Sequence, residues 1–159
     1  MVHIASQSSS PARLALCDRG TQTGGVDGLW WPTCTDLRKV LPDLVTVLSR
    51  LIGTVHRVVY DPTVWPHAPS RIIRGNTQVS VDPYALVAPE TIYLMGTHSR
   101  DAVLYVVAPS SRKDVVGRLF RAVADANGPM SADMLRQLTD DISNVAPGVD
   151  TVNSLQEER

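Results

Sequence analysis

The sequence predicts an α+β fold: an antiparallel sheet of about five to seven strands in hairpins, covered on one face by a long kinked helix and a C-terminal helix. Three observations lead there. Leu37, Val40, Leu41, Leu44, Leu48, Leu51 and Ile52 recur at three- and four-residue steps and lay one apolar stripe along a helix. Residues 55–108 contain several short β-branched runs separated by turn residues, the pattern of hairpin strands. A chain of 159 residues, 43% of them hydrophobic, is long enough for one substantial core and short for two. Strands in hairpins need one covered face, and amphipathic helices can cover it.

Taken in order, residues 1–11 are polar and Ser-rich and are expected to form a flexible arm. A single α+β domain is expected over 12–146, followed by a disordered tail at 147–159. Residues 13–17 predict a strand, and the Gly- and Thr-bearing stretch 18–25 a loop. The paired Trp30 and Trp31 follow in an extended segment that Pro32 ends. The helix over 36–52 has Thr35 as its expected N-cap, Asp36 at its positive end and Gly53 as its stop. Pro42 inside it predicts a kink, or a second helix beginning there. Residues 55–60 read as a strand closed by Asp61-Pro62. A loop carrying Trp65 leads to the hairpin 71–74 and 77–81, with Gly75-Asn76 at its apex. Residues 91–96 and 102–108 make a second hairpin. Ser111 and Asp114 resemble a capping box for a helix that buries Val115, Val116, Leu119, Phe120 and Val123. Asn127-Gly128-Pro129 ends it, and a third helix over 131–145 presents Met134, Leu135, Leu138 and Ile142.

The net charge of −1 provides no global basic field for nucleic acid or acidic membranes. Locally, residues 54–121 carry a charge of +3 and residues 122–159 a charge of −5. Thirteen of the fifteen cations are Arg, the side chain suited to bidentate recognition of carboxylate or phosphate. The first residues lack a positive segment followed by an apolar run, and no stretch reaches the length of a membrane helix. Cys17 and Cys34 have no CxxC spacing, so free thiols and a reducing cytoplasm are expected.

The segment Asp27-Gly28-Leu29-Trp30-Trp31-Pro32, with Asp36-Leu37 and the Leu-Pro-Asp-Leu run of the helix, resembles an actinobacterial family of no known activity. The likeness extends over roughly residues 12–125, through Trp65, the Pro69-Ser70-Arg71 approach, Gly75 and Val107-Ala108-Pro109. The chain departs from it at Thr33-Cys34 and at Asp82-Pro83-Tyr84. The resemblance implies lineage and no chemistry.

No G-x-S-x-G elbow, metal-ligand spacing or phosphate loop is present, so neither catalytic residues nor a cofactor nor a metal is expected. Arg57, Arg71 and Arg74 near Tyr60 and Trp65 could track a nucleic-acid backbone, but the net negative charge and eight aromatic residues argue against it. Trp31, Trp65, Arg71 and Arg74 are of the types enriched at interface centres, and are the expected partner-binding residues, with Trp30 assigned to the core. The first functional expectation is therefore a small cytoplasmic non-enzymatic protein that binds a macromolecular partner or associates with itself. The alternative is a small-molecule-binding or hydrolytic protein with a pocket between sheet and helix. Cys34 and His56 would lie in that pocket, gated by the Trp31-Pro32 and Trp65-Pro66 loops.

Overall fold

Side chains alternate along a strand, so the adjacent Trp30 and Trp31 point to opposite faces of the one that carries them, and each meets a different core. A computed structural model describes residues 4–6, 13–17, 25–86, 88–97, 100–126 and 128–145. In chain order the elements are β1 (Ile4–Ser6), β2 (Arg13–Leu16), β3 (Gly25–Val26), β4 (Gly28–Trp31), α1 (Leu37–Ile52), β5 (Arg57–Tyr60), β6 (Arg71–Arg74) and β7 (Thr77–Pro83). They continue with β8 (Thr91–Met95), β9 (Asp101–Val106), α2 (Lys113–Asp125), β10 (Met130–Ser131) and α3 (Ala132–Ser143). The expected tail at 147–159 lies outside the described residues. Of the expected arm, the described part is β1, which pairs antiparallel with β2.

Eight strands form one sheet in the order β1-β2-β4-β9-β8-β5-β7-β6, and β3 pairs with β10 in a second, two-stranded sheet. The main sheet is mixed: β4 runs parallel to β9, and β5 parallel to β7. This corrects the all-antiparallel expectation. Both predicted hairpins are present, as β6–β7 and β8–β9. The parallel pairs join strands far apart in sequence or across the long loop from Asp61 to Ser70, where turn chemistry carries no information.

Single-face coverage is corrected as well. On one face, α1 buries Leu37, Leu41, Leu44 and Leu48 against Val58, Val81, Ile92, Leu94 and Leu104. On the other, α2 and α3 bury Val116, Leu119 and Leu135 against Ala15, Leu29 and Val103. Parallel pairing and two-sided burial go together, because strands such as β9 carry apolar residues at successive positions.

The long kinked helix is corrected to one of three moderate helices, an uninterrupted α1 of sixteen residues with Pro42 inside it. Pro42 removes one intrahelical hydrogen bond, to the carbonyl of Arg38, at a cost of about 3 kcal/mol. Burying six apolar side chains, each contributing roughly 1.5–3 kcal/mol, outweighs that cost. The N-cap is Asp36 rather than Thr35: its carboxylate accepts the Arg38 backbone N–H at 3.0 Å. At α2 the cap is Arg112, with no side-chain capping bond, in place of the Ser111 box. Ser131 caps α3 by accepting the Met134 N–H at 3.2 Å. Gly28 is required by close approach, since an added Cβ would overlap the Ala15 carbonyl oxygen on β2. Among the described residues no helix is long and apolar enough to cross a membrane.

Candidate functional site

The expected partner-binding residues separate into three places. Trp65 is 1% exposed and stacks on Trp30 beneath α1, with ring centroids 5.4 Å apart and planes 22° apart. Burial removes it from any surface. Its loop is positioned by Asp61, whose backbone carbonyl accepts the N–H groups of Val64 and Trp65, both at 3.1 Å. Trp31 is half-buried against the α2 side, and its indole N–H donates to the Ala108 carbonyl at 3.1 Å. Arg71 and Arg74 are exposed on β6, the edge of the main sheet. Five strand steps of about 4.8 Å separate β4 from β6, roughly 24 Å, so Trp31 and the two arginines do not share one contact surface.

The residues expected in a helix–sheet pocket are also apart. Cys34 precedes α1, and its thiol donates weakly to the Asp36 carbonyl at 3.9 Å. His56 is exposed beyond the other end of α1, which is roughly 24 Å long. The imidazole-bearing residue near Cys34 is His67, whose carbonyl accepts the Leu37 N–H at 2.9 Å. Cys17 and Cys34 are not joined in a disulfide.

What the fold does assemble lies at β6. The hairpin turn at Gly75-Asn76 pairs Arg74 with Thr77, and Gly75 takes the φ of +58° that a tight turn requires. The Val81 N–H donates to Ser70 at 3.1 Å. Inward-facing backbone groups alternate along an antiparallel strand, so those of Ser70, Ile72 and Arg74 face β7. The N–H and C=O groups of Arg71 and Ile73 therefore point away from the sheet and are unpaired among the described residues. Side chains divide the same way: Ile72 packs on the α1 core, while Ile73 is 64% exposed.

Register continues this pattern inward. Arg71 stands opposite Ser80, and Ser80 opposite Arg57, so the three share one row on the face away from α1. The core under α2 and α3 draws on β2, β4, β9 and part of β8, and on no residue of β5, β6 or β7. Arg57 is held by Asp82 at 2.8 Å, whereas Arg71 has no carboxylate partner among the described residues. On the opposite face, Arg74 donates to the Thr46 hydroxyl of α1 and likewise makes no ion pair among the described residues.

Two carboxylates that the sequence marked only as a helix-end charge, Asp36, and a turn residue, Asp61, are perturbed. Asp61 is buried and held below the ordinary carboxylate range by the Thr63 hydroxyl and then by the Thr63 and Leu86 N–H groups. The distances are 2.6, 2.9 and 3.0 Å, so this side chain ties the loop after β5 to the chain after β7. The Arg38 guanidinium, at 2.8 Å, lowers Asp36 to about 2. Asp61-Pro62 carried only a turn signal in sequence, because its partners at 63 and 86 meet through tertiary structure. Among the described residues no group of three His, Cys, Asp or Glu side chains converges as metal ligands would.

A family model described as a family of unknown function (DUF5994) matches residues 13–123, which spans β2 through most of α2 and includes β6. No curated protein and no solved structure matches the chain.

Proposed function

We propose that this chain, which belongs to the family of unknown function DUF5994, acts without catalysis by taking an extended segment of a protein partner onto β6. The observation that carries the reading is the open edge: Ile73 at 64% exposure, with the outward backbone groups of Arg71 and Ile73 beside it. Strand addition satisfies such groups with main-chain hydrogen bonds and leaves selectivity to alternate side chains. The exposed Arg71, which has no carboxylate partner among the described residues, favours an acidic side chain in the added strand, and Ile73 an apolar one. Self-pairing of β6 through these outward groups would set Arg71 opposite Ile73 and give the guanidinium no carboxylate, so an acidic partner strand fits this edge better than a second copy. The Asp27–Pro32 segment is read as the mark of the family and its lineage as actinobacterial, with the protein at work in the cytoplasm.

The test is selection from a displayed library of extended octapeptides against the full chain. Acidic–apolar sequences should be enriched. Ile73→Pro should abolish their binding while the protein stays folded, because the lost N–H does not belong to the β6–β7 ladder. Arg71→Glu should shift selection from acidic to basic peptides. Enrichment that survives Ile73→Pro, or a wild-type chain whose dimerisation is lost in that variant, would overturn the reading.

A further inference from the structure

Beneath the other face of β6, a cleft of about 230 Å³ lies between α1 and the β6–β7 hairpin. Its apolar wall is Val45, Val55 and Val79, all buried. The remaining lining is Thr46, Ser49, Thr54, Thr77 and Arg74, four hydroxyl groups and one guanidinium with no carboxylate among them. We propose that this cleft is a binding site for a small oxyanion, a phosphate or carboxylate group, with Arg74 as its charged anchor.

The hydrogen-bond inventory supports this polarity. Thr46 donates its hydroxyl proton to the Pro42 carbonyl at 2.9 Å and accepts from Arg74, so it orients the guanidinium and has no proton left for a ligand. One Arg74 N–H is used in that contact, and the others have no partner among the described residues. A guanidinium donates and never accepts, so its complement is an acceptor, and a charged one forms the stronger bond. Ser49 accepts the Val55 N–H at 3.4 Å, which leaves its own proton free to donate. The Thr54 and Thr77 hydroxyls have no partner among the described residues and stand in the same lining. The volume is below the roughly 300–1,000 Å³ of drug-sized ligand pockets, which restricts the occupant to a small anion or the terminal group of a larger one.

The site is independent of strand addition, because Ile73 lies on the opposite sheet face from Arg74. Titrating the isotope-labelled full chain with inorganic phosphate, and separately with succinate, at constant ionic strength should therefore produce saturable amide shifts. They should centre on Thr46, Ser49, Thr54, Val55 and Thr77 with at least one of the two anions, and whichever saturates at lower concentration identifies the group. Arg74→Gln should weaken that binding about tenfold or more, with the thermal midpoint close to wild type because Arg74 is exposed. Ser49→Ala is the second variant, expected to weaken binding without removing it. Ile73→Pro should leave the shifts intact, which separates this site from the strand-addition reading. Equal shifts with chloride, linear shifts without saturation for both anions, or identical affinity in wild type and Arg74→Gln would overturn the proposal.

Discussion

Trp65 shows how a residue's type and its role can diverge. Tryptophan beside proline in a long loop has the character of an interface anchor, yet here the indole stacks on Trp30 and is closed over. Its Nε1 is buried with no hydrogen-bond partner among the described residues, a desolvated donor of a kind that costs about 1–3 kcal/mol. Ring burial exceeds that cost, since truncating a buried Trp to Ala removes roughly 3–5 kcal/mol. Two substitutions separate the contributions. Trp65→Ala should lower stability by that amount in chemical denaturation. Trp65→Phe keeps an aromatic ring on Trp30 and removes the orphan N–H, so it should cost no more than about 1.5 kcal/mol. Equal losses in the two variants would show that the stacked ring is not what holds the loop.

Between elements, single side chains act as ties. The Asp61 carboxylate accepts from Thr63 and from Leu86, so it holds the segment after β5 against the segment after β7, two strands that run parallel. Its pKa is depressed in the folded chain, first by the Thr63 hydroxyl. A depressed carboxylate contributes stability that is fully present above its unfolded pKa of about 4 and is lost as pH falls through the folded value. Asp61→Asn should therefore be less stable than wild type at neutral pH, because an amide nitrogen would face the Leu86 N–H as donor against donor. Denaturation across roughly pH 2–7 should show the gap closing below about pH 4; a gap constant with pH would place the role of Asp61 elsewhere. On α1 the same balance appears between local and tertiary effects. Pro42 acts against the helix through one lost bond, while the Leu stripe acts for it through packing, and packing is the larger.

At the scale of the molecule, one sheet serves two cores. α1 covers one face, with Leu48 among its buried residues, and α2 covers the other with Leu119. Leu48→Ala and Leu119→Ala should each cost about 2–5 kcal/mol. They lie on opposite faces with no shared core cluster, so the double variant should show the sum within about 0.5 kcal/mol, provided one cooperative transition persists. Two separate transitions would mean that the cores unfold independently across the sheet. The same division explains the open region: α2 and α3 extend their core over β2, β4 and β9 and stop short of β5, β7 and β6. Within that region the edge strand, Arg71 and Ile73 remain accessible, and on the opposite face Arg74 closes a cleft with α1.

What the sequence by itself determined is local. Apolar periodicity marked α1, α2 and α3; Gly75-Asn76 marked the β6–β7 turn; and Trp30 was assigned to the core, where it lies at 3% exposure. The spacing of Cys17 and Cys34 argued against a bridge, and none joins them. Each of these depends on residues within a few positions of one another, where backbone geometry and side-chain period leave few alternatives. Only the tertiary structure decided the mixed pairing, the two-sided cover, the burial of Trp65 and the separation of Cys34 from His56. It also decided that Arg71 and Arg74, three residues apart on one edge strand, face opposite sides of the sheet, one toward open solvent and one into a cleft with α1. The physical reason is that these outcomes depend on which distant strands pair and which helix closes over which face. They are settled by burial summed over the whole chain, and no local pattern encodes that sum.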